Sequence, residues 1–313
     1  MDNFLLCFNA IMPLLLLMML GYVLKQGKII PQAGFDAVDK MCFKIFVPTL
    51  LFSNVYGADF STEFDLKAAA FMLTAILCVF VMAMLLVPRL LPGRREDIAT
   101  VVHGVCHGNL AVLGMPLISN LFGDSGMAVY SILLACTSPL VNPLMVMEHL
   151  YFQGNRIKPA RFIRNVFSSP FLVGTLLGLA CKLLGVRFPQ FLQTAISNVK
   201  SIASPLCLVA LGGSFSFGSI RGYVGPVVGS VLAKCVLIPA VVLSIAVALG
   251  FRGLILASLL VIFCCPSAAA TYSFCAGYCG NHRLASQIVV YSTAFSIFSM
   301  FLWIFAFLQF GLL

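Results

Sequence analysis

The sequence is divided into apolar runs of about 20 residues, the length that spans a bilayer as a helix, separated by short polar clusters. Of the 313 residues, 61% are hydrophobic and 9% are charged, whereas soluble chains carry about 25% charged residues. In lipid, backbone polar groups must be paired within the segment, and a β-barrel would instead show alternating stretches of about 10 residues. The sequence therefore predicts an all-α membrane protein.

About ten transmembrane helices are predicted from these runs. They lie near 4–25, 36–56, 67–88, 98–121, 127–151, 164–184, 191–212, 223–249, 254–279 and 284–310. With an external N-terminus, the cytoplasmic loops hold Lys25, Lys28, Arg89, Arg94, Arg95, Arg156, Lys158, Arg161, Arg164, Arg221 and Arg283, and the external loops hold Lys67, Lys182, Arg187 and Arg252. Because Lys and Arg favour the cytoplasmic side, we expect a multi-pass plasma-membrane protein with both termini extracellular. The net charge of +9 comes mostly from these loops and does not indicate nucleic-acid binding.

Prolines and glycines recur at nearly the same intervals in the two halves of the chain. The intervals are 8, 6, 4 and 17 residues, then 8, 7, 4 and 16, along Pro13, Gly21, Gly27, Pro31 and Pro48 and along Pro170, Gly178, Gly185, Pro189 and Pro205. Asn109 and Pro266 also each lie 14 residues before a glycine. Since five spans per copy is an odd number, the second copy must be inverted. We predict a first inverted repeat at 1–151, a basic cytoplasmic loop at 152–163 and a second inverted repeat at 164–313.

The fourth and ninth spans contain residues that interrupt helices at equivalent positions. Gly108 tolerates unusual dihedrals, and Asn109 is suited to cap a half-helix that begins at Leu110. Pro266, with Ser267 beside it, suits the first turn of a second half-helix. Two half-helix N-termini that point at one place would offer free N–H groups and positive dipole ends, which favour an anion. The sequence thus predicts broken helices that cross near the middle of the membrane.

Motifs along essentially the whole chain resemble the auxin efflux carrier family, which includes plant carriers and bacterial organic-anion carriers. The motifs are Asn109-x4-Gly114-x-Pro116-Leu117, Phe122-Gly123, Phe46-Val47-Pro48-x-Leu50-Leu51-Phe52 and Pro266. The resemblance implies a ten-helix inverted fold in which a transport domain moves against a scaffold domain as an elevator, with the crossover at helices 4 and 9. Plant members have a proline before the crossover asparagine, where this chain has Gly108.

The resemblance also implies the substrate site. Contacts are expected at Asn109, Val47, Leu51, Cys136 and Ala269, and Gly108 and Pro266 form the break. Ser267, next to Pro266, is also expected to bind the substrate. Cys136 and Leu51 replace polar residues expected in auxin carriers, so a small mono- or dicarboxylate such as malate or malonate is expected before auxin-like acids. Many members of such families dimerise through a scaffold helix, and a homodimer is an open prediction.

Lys234 is the most deeply placed charge in the predicted spans. Ionisable residues within a membrane are frequently functional, so Lys234 is a candidate partner for a substrate carboxylate or for Asp36 or Asp39. The alternative is that its long side chain reaches the interface or supports the scaffold. The sequence leaves both interpretations open.

Two other classes of function, soft-metal binding and intramembrane catalysis, are alternatives on the sequence. His103, Cys106 and His107 have a spacing that could bind a soft metal such as zinc or copper, although Cys106 points about 100° away from His107 on a helix. An intramembrane enzyme could use His103, His107 and Asp124, but no nucleophile–base set or phosphate loop accompanies them. We therefore expect no catalysis, no resident metal and no cofactor.

The sequence predicts a secondary transporter of a small organic anion that works by elevator-type alternating access. Its expected partners are this anion and the lipid bilayer. Spans three and six to nine contain no Asp or Glu, which argues against sodium–proton exchange. Coupling to Na+ or H+ is open, and transport driven by membrane potential fits equally well.

Overall fold

The computed structural model describes residues 2–57, 65–154, 170–215, 222–277 and 280–313. Most of the predicted basic loop at 152–163 lies outside these residues. The described chain is helical, with helices α1 (Asp2–Gln26), α2 (Gln32–Met41), α3 (Val47–Gly57), α4 (Leu66–Leu90), α5 (Arg95–Cys106), α6 (Met115–Gln153), α7 (Pro170–Leu183), α8 (Gln190–Ser214), α9 (Val224–Leu232), α10 (Ile238–Ala248), α11 (Gly253–Cys264), α12 (Ala270–Gly277) and α13 (His282–Gln309).

Three short π-helical segments adjoin these helices. Cys42–Phe46 joins α2 to α3, Leu110–Gly114 leads into α6, and Ala233–Leu237 joins α9 to α10. A π turn widens the helix by one residue and is frequent at functional sites. All three segments contribute residues to the cavity described below.

Six of the described helical segments are long and apolar enough to cross a membrane. They are Asn3–Gln26, Leu66–Leu90, Leu110–Gln153, Gln190–Ser214, Val224–Ala248 and His282–Gln309. Val173–Leu183 and Gly253–Cys264 are shorter apolar helices. Many large apolar side chains on α1, α4 and α10 are exposed, as expected for surfaces that face lipid. The protein is an all-helical, multi-pass membrane protein.

The boundary predicted between the fourth and fifth spans is a sharp bend inside α6. Gly123 has φ 59° and ψ −145°, a backbone conformation that is essentially restricted to glycine. The helix therefore changes direction at Gly123, at the end of the Phe122-Gly123 motif. Asp124, which follows it, is exposed.

The helices pack in two groups. In the first group, α8 packs along α1, α2 and α3, and α7 packs along α3. In the second, α6 packs against α5 and α11, and α13 contacts α5, α9, α11 and α12. The two groups adjoin through α6, which also contacts α1 and α3, and through α13, which contacts α1. The largest hydrophobic core cluster includes residues of both groups, among them Leu14, Leu208, Leu117 and Val261. The site described next lies between the two groups.

Candidate functional site

Two helices are interrupted, and their interruptions pair with each other. The first interruption (107–109) separates α5 from the π segment Leu110–Gly114, and the second (265–269) separates α11 from α12. The backbone N–H of Asn109 donates to the carbonyl of Pro266 at 2.8 Å, and that of Ala268 donates to the carbonyl of His107 at 2.9 Å. Gly108 and Ser267 thereby form an antiparallel bridge. The two pieces of irregular backbone satisfy each other, as a low-dielectric environment requires.

The local geometry of the interruptions differs from three details of the prediction. Asn109 lies at the N-cap position, but its side chain makes no capping hydrogen bond. Gly108 is not among the glycines with positive φ, so the break does not use a left-handed conformation at this position. Pro266 lies in the connection, and α12 begins only at Ala270. Pro266 cannot donate a hydrogen bond, so the carbonyl of Asn109 accepts instead from Leu113 and Gly114 within its own segment.

Tyr130 and Gly114 together fix the π segment after the first interruption. The hydroxyl of the fully buried Tyr130 donates to the carbonyl of Leu110 at 2.9 Å. A methyl group at Gly114 would overlap that hydroxyl, so the close approach requires glycine. The glycine of the motif thus has a steric role in this chain: residue 114 makes room for the Tyr130 hydroxyl that donates to the carbonyl of Leu110.

Hydroxyl groups fix the second interruption. The Ser267 hydroxyl donates to the carbonyl of Gly104 at 2.6 Å, and the Ser267 backbone N–H donates to the Ser292 hydroxyl at 3.2 Å. Ser267 and Ser292 are both fully buried. Gly104 also packs closely against Ile288, so that a methyl group added at Gly104 would lie 2.8 Å from the Ile288 side chain. Ser267 therefore ties the second interruption to α5 and α13.

A cavity of about 1070 Å³ opens at the paired interruptions. The first helix group contributes Leu51 and Leu211 to its wall, among others, and the second group contributes Leu134, Ile262 and Val289. Its remaining wall includes residues next to the interruptions, namely Cys106, His107, Gly108, Asn109, Leu110, Ala111, Val112, Ala268, Ala269 and Ala270. The volume suits a small molecule, for which sites usually measure about 300–1,000 Å³.

The wall carries more positive than negative charge. Among its described residues, Lys25, Lys40, Lys44 and Lys234 face Asp36 and Asp39. Lys234 lies in the π segment Ala233–Leu237, is 5% exposed, and sits with Nζ 3.4 Å from where a methyl group at Gly108 would lie. Within the described chain it makes no salt bridge to either aspartate, and a buried side chain does not reach the interface. A lysine in this position favours an anion in the cavity.

Asn109 offers the second polar group at this place. Its side chain is 4% exposed, and its amide nitrogen Nδ2 has no hydrogen-bond partner among the described residues. A buried donor without an acceptor is costly, so it is a strong position for a ligand that accepts hydrogen bonds. The first N–H groups after each interruption also lack an acceptor within their own helix.

Of the residues expected at the substrate site, the structure brings some to the cavity and not others. Asn109, Leu51, Ala269, Gly108 and Lys234 line it. Val47 and Ser267 are buried, Val47 in the main core cluster. Cys136 is half-buried and packs against that cluster, whereas the residues of α6 on the cavity wall are Leu134, Thr137, Val141, Asn142 and Val146. Cys136 is turned about 100° from Thr137 around the helix axis.

Three polar residues that sequence reasoning did not select are close to the site. Thr137 and Asn142 on α6 line the cavity, and Glu148 further along α6 is fully buried. The signal for Glu148 was available, since an acidic residue inside an apolar span is rare and frequently functional. The positions of Thr137 and Asn142 depend on which face of α6 meets the cavity, which the sequence does not reveal.

The fold and the cavity define a polytopic helical membrane protein with a small-molecule site at two interrupted helices. A family profile described as Membrane transport protein matches residues 6–158 and 156–304. The chain belongs to this family, the auxin efflux carriers, and is a transporter rather than an enzyme.

Two archaeal proteins are similar over nearly their whole length. One is an uncharacterized transporter of Methanothermobacter thermautotrophicus, 24% identical, with 94% of this chain and 96% of the relative covered. The other is an uncharacterized transporter of Methanocaldococcus jannaschii, 20% identical, with 94% and 97% covered. Neither name specifies a substrate.

Proposed function

We propose that this protein is a secondary transporter of a small organic anion, a mono- or dicarboxylate such as malate or malonate, and that it works by elevator-type alternating access. The main support is a pair of buried polar groups on the cavity wall, Lys234 and Asn109, of which the Asn109 amide nitrogen has no hydrogen-bond partner among the described residues. Lys234 supplies a positive charge and Asn109 a free amide donor on either side of Gly108. A carboxylate between them would accept hydrogen bonds from both, and a charge-assisted hydrogen bond is about twice as strong as a neutral one.

The N-terminal ends of the two segments after the interruptions would add to this site. Leu110, Ala111 and Val112 begin one segment, Ala269 and Ala270 lead into the other, and all line the cavity. Their free amide groups carry the positive end of the helix dipole. In this proposal the bound carboxylate lies where both ends meet, close to the middle of the membrane.

Helix packing supports the proposed inverted repeats. Gly21 on α1 lies against the carbonyl of Val209 on α8, and Gly178 on α7 lies against the carbonyl of Phe52 on α3. Gly178 follows Gly21 by 157 residues, and Val209 follows Phe52 by the same number (178 − 21 = 157; 209 − 52 = 157). Asn109 and Pro266, which share a hydrogen bond, have this separation too (266 − 109 = 157). Equivalent positions of two copies would make such reciprocal contacts around a two-fold axis.

The two helix groups support the elevator mechanism. The first group would be the scaffold and the second, with both interruptions, would be the transport domain. The cavity lies between them, with charged residues of α2 on one wall and the interruptions on the other. Movement of the second group along the first would bring the site from one side of the membrane to the other while the interruptions stay paired.

The experiment is uptake by proteoliposomes that contain the purified protein. Radiolabelled malate, malonate and indole acetate are offered to the wild type and to Lys234→Met. We expect saturable uptake of a carboxylate that falls about 30-fold or more in the variant, since truncating one partner of a buried charge pair costs about 2–5 kcal/mol. Indole acetate should be the poorest substrate of the three, because Leu51 on the cavity wall stands where the resemblance predicts a polar residue in auxin carriers.

Lys200→Met is the matched control, since Lys200 lies on α8 away from the cavity wall and should keep wild-type uptake. Equal uptake by Lys234→Met and Lys200→Met would contradict the proposed charge partner. Absence of uptake for every carboxylate in a panel, with folded protein in the vesicles, would contradict the organic-anion assignment.

Four further features of the transporter are predicted from the distribution of Lys and Arg and from the family resemblance. They are the plasma-membrane location, the external termini, the homodimer and the choice between Na+ coupling, H+ coupling and transport driven by membrane potential. The orientation of the reconstituted protein, measured by protease access from one side, tests the termini directly.

A further inference from the structure

A second buried polar cluster lies outside the cavity wall. It consists of His103 on α5 and of Glu148 and His149 on α6, and we refer to these three residues as the His–Glu cluster. All three side chains are 0% exposed. The ring of Phe274 lies beside those of His103 and His149, and Met145, one turn before His149 on α6, is buried in a hydrophobic cluster with Phe80. Three ionisable side chains are thus buried together between α5 and α6.

The side chains of the cluster converge on one point. Glu148 Oε2 lies 3.5 Å from His103 Nδ1 and 3.7 Å from His149 Nδ1. One ligand atom from each residue lies within 4.8 Å of the other two. A tetrahedral zinc ion with bonds of about 2.0–2.2 Å holds its ligand atoms about 3.3 Å apart. Small rotamer adjustments would therefore bring the cluster to the spacing of a metal site.

The Glu148 carboxylate and one ring nitrogen of His103 have no hydrogen-bond partner among the described residues. These atoms are Oε1 and Oε2 of Glu148 and Nδ1 of His103. A buried ionised carboxylate without hydrogen bonds is strongly unfavourable, and either a proton or a bound cation must neutralise it. The atoms without partners are those that point into the cluster, which is where a cation would bind.

The surroundings of His103 match those of a metal ligand. Its second ring nitrogen, Nε2, lies 3.1 Å from His107 Nδ1. A histidine that binds metal through one nitrogen usually donates a hydrogen bond from the other, which fixes the orientation of the ring. The ring of Phe274 covers those of His103 and His149, with centroid distances of 5.0 and 6.2 Å, and shields the cluster from the cavity.

We propose that His103, Glu148 and His149 bind a divalent cation of the zinc class, with His107 as a positioning residue behind His103. Two histidines and one carboxylate are a donor set that suits zinc and leaves a fourth position for water. The ion ties α5, which ends at the first interruption, to α6. This assignment differs from the candidate set His103, Cys106 and His107, because Cys106 lies on the cavity wall and packs against Phe80.

The test begins with the metal content of the full chain, purified in detergent without a histidine tag, chelator or added metal. Inductively coupled plasma mass spectrometry should find about one zinc-class ion per chain, the occupancy of a single buried site with submicromolar affinity. After removal of the ion by a chelator, Zn2+ should bind again with a saturable rise in melting temperature. Co2+ should give the visible absorption of a four-coordinate N/O site.

Variants connect the ion to these side chains. Glu148→Gln and His149→Gln should lose the ion and the effect of Zn2+ on melting temperature. His107→Gln should keep the ion but bind it about 10–100-fold more weakly, the usual effect of removing an outer partner of a ligating histidine. His282→Gln is the matched control, since His282 is exposed at the start of α13 and should behave as wild type.

The wild-type measurement decides the proposal even if a variant does not fold. A substoichiometric metal content together with no saturable binding of Zn2+ or Co2+ after chelation would overturn it, and so would a bound ion that Glu148→Gln retains in a folded protein. Neither result bears on carboxylate uptake, because none of the three ligands lines the cavity.

Discussion

The two interruptions face each other across two hydrogen bonds, yet they satisfy their polar groups in different ways. At the second, the Ser267 hydroxyl donates to the carbonyl of Gly104, and the Ser267 backbone N–H donates to the Ser292 hydroxyl. Ser267 does not line the cavity. At the first, the amide of Asn109 stays without a partner beside a buried lysine. The backbone geometry is shared, but the free hydrogen-bonding capacity lies almost entirely on one side.

This difference indicates that the interruptions have separate roles. The first would bind the substrate, and the second would support it by fixing the backbone of the first. A buried polar group that is fully bonded mainly contributes to stability, whereas an unbonded donor on a cavity wall loses free energy that a ligand can recover. The following variants are chosen to separate the two effects.

The largest effect is expected for Asn109→Ala. Carboxylate uptake, measured as kcat/KM in proteoliposomes, should fall about 10- to 100-fold, because a hydrogen bond to a charged group contributes about 1.5–3 kcal/mol. The melting temperature should not fall, since the amide has no partner to lose. Asn198→Ala on the exposed face of α8 is the matched control. Unchanged uptake would remove the distinction between the two interruptions.

An intermediate effect, on stability and not on uptake, is expected for Ser267→Ala. The change leaves the buried carbonyl of Gly104 without its donor, which should cost about 1–3 kcal/mol of unfolding free energy. Chemical denaturation in detergent measures this loss, and Ser201→Ala on the surface of α8 should show much less. If Ser267→Ala instead abolished uptake per folded molecule, the serine would belong to the substrate site, as the sequence suggested.

The smallest effect is expected for Pro266→Ala. Alanine keeps the carbonyl that accepts from Asn109, so the pairing of the interruptions should persist. The expected loss is about 0.4–1 kcal/mol, from the greater freedom of the unfolded chain. Thermal unfolding and uptake can be followed together, with Pro92→Ala in an exposed connection as the control. A large loss of uptake would mean that the proline ring itself shapes the site.

The membrane class, the helix breaks and the bend at Gly123 were predictable from sequence. Long apolar runs leave only helices, and Gly108 and Pro266 lie where helices are interrupted. The start of α12 at Ala270 was not predictable from Pro266 alone, because the intervening residues are used to pair with the first interruption. That pairing joins residues far apart in the chain.

The sequence predicts site residues well where a helix is interrupted. It predicts them less well where the answer depends on which face of an unbroken helix meets the cavity. Asn109 and Lys234 were selected and line the cavity, whereas Cys136 faces the core. The sequence predicts Cys106 and His107 as companions of His103, and the structure keeps His107 beside one ring nitrogen and places Glu148 beside the other. Contacts between α5 and α6 are tertiary, so no local spacing in the sequence encodes them.

The joint between the two interruptions consists of two main-chain hydrogen bonds, Asn109 N–H to Pro266 and Ala268 N–H to His107. Because these bonds use no side-chain atoms, they constrain the side chains at these positions little. Residues 109 and 268 must each supply an N–H, so any residue except proline can stand there. Position 108 supplies neither of the two N–H groups. The two hydrogen bonds of the joint therefore place no demand on the N–H of residue 108. Side-chain substitutions near the interruptions could thus change which anion is bound while the main-chain pairing of the interruptions is kept.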